Sequence, residues 1–150
     1  MRCVVQRVSA ATVAVDGREV GRCGFGLMLL VGVHKVDTAA NAAKLADRIA
    51  GMRIFSDAAG KMNLSILQLR EEGHDEADIL AVSNFTLFGD TSQRRPSFGE
   101  SAGFEKGEEL FEAFVQELRG RGIPVQTGVF GANMQVSILN DGPVTLIVDA

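Results

Sequence analysis

The segment Gly26 to Val33 carries no polar side chain on either of its alternating faces. A strand with two apolar faces needs cover on both sides, so this one belongs in the middle of a sheet. The sequence around it is organised accordingly. Residues 2 to 8 alternate as a half-buried strand does, and Thr12 to Val15, Asp16-Gly17 and Glu19 to Arg22 read as a hairpin closed by a tight turn. Asp37 is the expected N-cap of a helix in which Ala42, Leu45, Ala46, Ile49 and Met52 share a face. Asp57-Ala58-Ala59-Gly60 is a turn, and the charged stretch Glu71 to Asp78 is a surface loop.

The second half repeats the mixture of elements. Ile79 to Phe85 reads as a further buried strand that exits at Thr86. A helix starting near Ser101 buries Phe104, Leu110, Phe111, Phe114, Val115 and Leu118, and Gly120, Gly122 and Pro124 end it. Two strands, Met134 to Leu139 and Val144 to Val148, flank a turn at Asp141-Gly142-Pro143. At 150 residues, with no repeat or linker, residues 1–150 form one domain able to bury a core without a metal or disulfide.

Composition limits function. The longest unbroken apolar run, Leu27 to Val31, is far short of a membrane span, and Gln6-Arg7 interrupts any signal-peptide core, which leaves a cytoplasmic protein as the expectation. Cys3 and Cys23 are expected to be reduced thiols, and His34 and His74 stand alone, so no metal site is expected. A net charge of −4 argues against wide wrapping of nucleic acid, though not against binding the end of an RNA.

Local chemistry narrows the candidates without settling them. Thr86 ends a strand with no neighbouring His or Lys to activate it, so taken alone it is a poor nucleophile. Ser83 and Asn84 offer side-chain donors, and the backbone N–H groups near Phe85 suit an oxyanion; the same side chains also suit a strand end. Phe130, Gly131 and Met134 either pack in the core or enclose a base. Arg94 and Arg95 are phosphate contacts or a solvated pair, while Arg7, on an apolar strand, is a structural ion pair or a substrate contact.

Six segments, taken in order, resemble the D-aminoacyl-tRNA deacylases along nearly the whole chain. They are Gln6-Arg7-Val8, Arg53 to Asp57 with Gly60 to Asn63, Ser83 to Leu87, Arg95 to Phe98, Met134 to Ser137 and Asn140 to Thr145. Asn84 departs from the family pattern, which has Gln there. The resemblance implies an α/β fold, a layered, barrel-like β structure of mixed sheets covered by two helices, and a homodimer. It implies hydrolysis of the ester joining a D-amino acid to the 3′ end of tRNA, with no metal or organic cofactor and with no membrane or DNA partner. Ser83, Asn84, Phe85 and Thr86 become the catalytic segment, in which Thr86 either attacks the ester or only orients the substrate; the shortage of acids and bases around the motif favours the terminal ribose 2′-hydroxyl as activator of water. Phe130, Gly131, Met134, Arg7 and Arg95 become contacts to the terminal adenosine and tRNA.

In that family the Gly142-Pro143 bond is cis, and the pair enters the other subunit's site. A backbone wall there rejects every L side chain while leaving D side chains pointing outward, and glycine, having no side chain, is not excluded. Two rivals remain: a silent module that binds tRNA 3′ ends, which Asn84 favours, and a threonine-dependent hydrolase of small esters.

Overall fold

A computed structural model describes residues 1–150. The central strand is where the apolar run requires it: β3 (Gly26–Gly32) lies antiparallel to β1 (Arg2–Val15) and parallel to β6 (Asp78–Ser83), with every residue but Leu30 buried. Beyond β6 comes β7 (Val125–Thr127), a short parallel strand absent from the sequence reading. The far half of β1 pairs with β2 (Arg18–Cys23) through a turn in which Asp16 and Gly17 both have positive φ, the geometry a two-residue hairpin demands. The sheet then curls until β2 meets β7, where Arg22 N–H donates to Gln126 Oε1 at 3.0 Å. Its concave side holds a small core of Val8, Ala11, Val13, Cys23, Met28, Leu80 and Val82.

Two helices cover the opposite face. In α1 (Ala39–Ala50), Ala42, Leu45, Ala46, Ile49 and Ala50 are buried. In α3 (Phe104–Gly120), Leu110, Phe111, Phe114, Val115 and Leu118 are buried, and the two helices pack on one another above the main core. Each fully buried Leu, Ile or Phe there is worth about 1.5–3 kcal/mol relative to exposure. The remaining pieces are a small hairpin of β4 (Phe55–Ser56) and β5 (Met62–Leu64), the single-turn α2 (Ile66–Glu71), and a 3-10 turn at Phe85–Phe88.

Four expectations need correction. The cap of α1 is Thr38, whose N–H and hydroxyl both bond Asn41 Oδ1, while Asp37 is buried and accepts from the Met1 ammonium and His34 N–H. β6 stops at Ser83, so Phe85 and Thr86 belong to the 3-10 turn and both are exposed. Phe104 opens α3 without being buried; it is 61% exposed. The last two strands are one, β8 (Gln135–Asp149), running antiparallel along nearly all of β1. Arg7 pairs with Val144 and Val8 with Asn140, so Asp141-Gly142-Pro143 is a bulge pushed out of a continuous ladder. Proline has no N–H to give a ladder and glycine takes φ +116 here, so this tripeptide is suited to leaving it; the Gly142–Pro143 peptide is cis.

Candidate active site

A cavity of about 490 Å³ opens where β3 and β6 end against the start of α3. Its floor includes Val31, Val33 and Val82, one wall is Ser83, Asn84 and Phe85, and α3 supplies Phe104 and Gly107. The opposite wall is Phe130, Gly131 and Met134, from the segment joining β7 to β8. No lining residue has an ionisable side chain. Such a space suits a flat, uncharged group, with hydrogen bonding confined to the Ser83–Phe85 wall.

That wall is built by the break between β6 and the 3-10 turn. Asn84 N–H still bonds Val31 O at 2.8 Å, as if continuing the sheet, and its side chain then caps the turn. Asn84 Oδ1 accepts from Thr86 N–H at 3.2 Å and from Thr86 Oγ1 at 2.5 Å. The hydroxyl of Thr86 therefore donates to an amide oxygen, which is no base, and Thr86 itself is not among the lining residues. With the Asn84 carbonyl engaged in this way, its amide NH2 is left as the donor. Phe85 is the first residue of the turn, where an N–H has no partner inside the turn. Its carbonyl is fixed from outside by Ser101 Oγ at 2.8 Å.

On the opposite wall the Phe130 ring stands edge-on to Phe104, with centroids 5.1 Å apart, and Phe111 lies behind it. Two glycines keep this space open. A Cβ on Gly107 would stand 3.2 Å from the Phe130 ring, and one on Gly131, at φ +74, only 2.4 Å from Phe104. Sequence reasoning missed Phe104, Gly107, Val31 and Val33. A glycine in the first turn of an otherwise well-formed helix was the signal available for Gly107.

The cavity thus joins six of the expected residues, Ser83, Asn84, Phe85, Phe130, Gly131 and Met134. Arg7, Gly142 and Pro143 lie outside it in the same protomer. Arg7 donates from Nη1 to Ile54 O at 2.8 Å and stands 2.9 Å from Asp141 Oδ2 through Nε, an ion contact whose N–H direction falls short of a hydrogen bond. Its Nη2 would lie 3.1 Å from a Cβ on Gly142, so the guanidinium lies directly against the bulge. Gly142 and Pro143 are exposed. Arg95 sits on an exposed loop that returns to the site through Phe98, whose ring meets the Phe85 ring edge-on at 5.1 Å.

Charge gathers outside the cavity. Lys35 Nζ, at 2.7 Å, and the His34 ring hold the Glu100 carboxyl below the usual carboxylate range. The bidentate Arg2 guanidinium does the same for Asp149. Burial pushes the Cys23 thiol up to about 11 and Cys3 higher still, so neither is a nucleophile at neutral pH. No helix is long and apolar enough to cross a membrane.

The protein family described as D-Tyr-tRNA(Tyr) deacylase matches residues 4–149. The D-aminoacyl-tRNA deacylase of Geobacter sulfurreducens is 51% identical over 150 residues, spanning 99% of this chain and 95% of the relative. Among solved structures, the c-Myc DNA Unwinding Element Binding Protein matches with a TM-score of 0.90 at 33% identity, over 100% of this chain and 99% of its own. One described as a probable eukaryotic D-amino acid tRNA deacylase matches with a TM-score of 0.85 at 19% identity, over 99% and 98%, a likeness of fold.

Proposed function

The chain belongs to the D-Tyr-tRNA(Tyr) deacylase family, and from that membership and the cavity's chemistry we propose that it hydrolyses the ester between a D-amino acid and the 3′-terminal ribose of tRNA. The observation that carries the mechanism is the absence of any ionisable side chain from the cavity lining. Adenine fits between Phe130 and Met134, since an aromatic face and a thioether both pack on a base without needing charge. The ester carbonyl then lies against the Ser83–Phe85 wall, where the Phe85 N–H and the Asn84 amide stabilise the oxyanion formed as water attacks. Thr86 positions this wall through Asn84 and forms no covalent intermediate, because its proton is held by an amide oxygen. The 2′-hydroxyl of the substrate's own ribose activates the water. Water, positioning and oxyanion stabilisation suffice for this chemistry.

Selection against L substrates falls to Gly142 and Pro143 of a second copy of the chain, with Arg7 holding their bulge in shape. In support, the pair is exposed and absent from its own protomer's cavity, and Ile138, Leu139, Leu146 and Ile147 on the same strand leave apolar surface open. Covering that surface with its symmetry mate makes a homodimer and carries each bulge toward the other protomer. Glycyl-tRNA, with no side chain to strike the wall, is a substrate too. The enzyme works in the cytoplasm, where Arg95 contacts the RNA backbone beside the cavity. The two rivals are not favoured: the relatives are named as deacylases, and a threonine-dependent esterase lacks its base.

The test compares initial rates on D-tyrosyl-tRNA for wild type and Thr86→Ala, beside a tRNA ending in 2′-deoxyadenosine. Retained turnover in the variant with a severe loss on the deoxy substrate is the expected result. A threonyl ester trapped on Thr86 would overturn the mechanism.

A further inference from the structure

The cavity is uncharged and the chain has a net charge of −4, yet the proposed substrate is a polyanion. Whatever attracts the nucleotides before the terminal adenosine therefore lies outside the cavity. Most Lys and Arg side chains are already engaged within the protomer: Arg2 with Asp149, Arg22 with Glu19, Lys35 with Glu100, Arg53 with Asn63, Arg70 with backbone carbonyls, Arg121 with Asp47. Arg18, Lys44, Lys61, Arg94 and Arg95 make no ion pair or side-chain hydrogen bond. Of these only Arg94 and Arg95 are adjacent in sequence.

Their setting is a small arm attached to the site. Asp90 and Ser97 exchange both backbone hydrogen bonds, at 2.8 and 3.0 Å, and close a loop whose residues are all exposed. At its base Phe98 packs on Phe85, a cavity wall, and against Gly89, where an added Cβ would lie 3.0 Å from the ring. The arm's two nearby carboxylates are both held: Asp90 caps the loop by accepting Ser92 N–H at 2.8 Å, and Glu100 is paired with Lys35. Pro96 has no N–H and restricts Arg95 to extended backbone, so the second guanidinium cannot fold back into a helical turn. Two unpaired guanidinium groups thus project from a stalk rooted in the cavity wall.

We propose that the Asp90–Ser97 arm is a phosphate clamp, in which Arg94 and Arg95 hold the acceptor-strand backbone just before the terminal adenosine. This rests on the reading of the cavity as the seat of that adenosine. Guanidinium suits the role because its planar donors match phosphate oxygens in pairs. Its consequence is that recognition of the RNA, unlike the chemistry, depends on salt. Each phosphate contact to a single strand contributes about 0.7 to the slope of log affinity against log salt, so two contribute about 1.4, or roughly a sevenfold extra loss of affinity between 50 and 200 mM salt.

The test uses uncharged tRNA, so binding is read separately from catalysis, and follows its affinity between 50 and 200 mM NaCl for wild type, Arg94→Gln/Arg95→Gln, Arg94→Lys/Arg95→Lys and Lys44→Gln. Lys44 lies on the exposed side of α1 and shows what loss of one positive charge elsewhere does. The clamp requires the Gln pair to lower the slope by about 1.4, the Lys pair to keep most of it, and Lys44→Gln to leave it unchanged. Equal slopes for wild type and the Gln pair, or an equal change in Lys44→Gln, overturn the clamp. Turnover of D-tyrosyl-tRNA by the wild type reports separately on the proposed reaction, so failure of one cannot be taken for failure of the other.

Discussion

Replacing Arg7 by Met keeps the apolar stem and removes the guanidinium that braces the β8 bulge. Two contacts are lost. The Nη1 bond to Ile54 O, 2.8 Å long and on a side chain only 12% exposed, is charge-assisted and worth about 1.5–3 kcal/mol. The contact with Asp141, whose side chain is 44% exposed and screened by water, adds no more than about 0.2–1 kcal/mol. The total, about 2–4 kcal/mol, corresponds to a fall in Tm of about 4–16 °C for a chain of this size. Thermal unfolding measures the Tm and urea titration the stability, and the same preparation, assayed with D- and L-tyrosyl-tRNA, should have lost D activity, L rejection or both. Combining Arg7→Met with Asp141→Asn separates the two contacts, and their coupling should be below about 1 kcal/mol. A Tm within a degree of wild type, with discrimination intact, refutes the claim that Arg7 braces the bulge.

Other perturbations probe the cavity wall and the core. Asn84→Ala removes both the cap of the 3-10 turn and an amide donor, and should lower kcat/KM by at least roughly 2- to 13-fold, the effect of losing one hydrogen bond worth about 0.5–1.5 kcal/mol. Asn84→Gln, which keeps the amide donor, should preserve or raise kcat/KM, and a wild-type rate in Asn84→Ala with a loss in Asn84→Gln would show a packing site instead. The Cys23 thiol, raised by burial to about 11, should resist a disulfide reagent at pH 8 until the protein unfolds. Because the folded-state values of Cys23 and of Cys3, raised further by burial, both lie above the unfolded value of about 8.5, their joint contribution to stability is complete below pH 8.5 and declines as pH rises toward 11, which urea titrations at pH 8 and pH 10 detect.

The sequence revealed where the chain is apolar, and less of what lies beside it. Gly26 to Val33 announced a central strand because no partner is needed to see two apolar faces. β8 was legible only as two strands, since Asp-Gly-Pro is turn chemistry and nothing local shows that β1 runs past it unbroken. β7 is three residues long and carries no usable period. Phe104 matched the helical stripe, but it is the first residue of its helix and lies at the cavity mouth, where the stripe no longer faces the core. Asp37 was expected to cap α1, but cap propensity cannot register a buried ammonium as a competitor for its carboxylate. At the site, the Ser83–Phe85 and Phe130–Met134 segments could be named in advance, whereas Val31, Val33 and Gly107 join the cavity only through the fold.

The central claim is that an uncharged cavity, completed by the Gly142-Pro143 bulge of a second copy, removes D-amino acids from tRNA and spares their mirror images. Side-by-side deacylation of D-tyrosyl-tRNA and L-tyrosyl-tRNA by the purified protein tests it most directly. The account predicts rapid release of D-tyrosine with the L ester decaying at its uncatalysed rate. Comparable cleavage of both esters, or of neither, would contradict it.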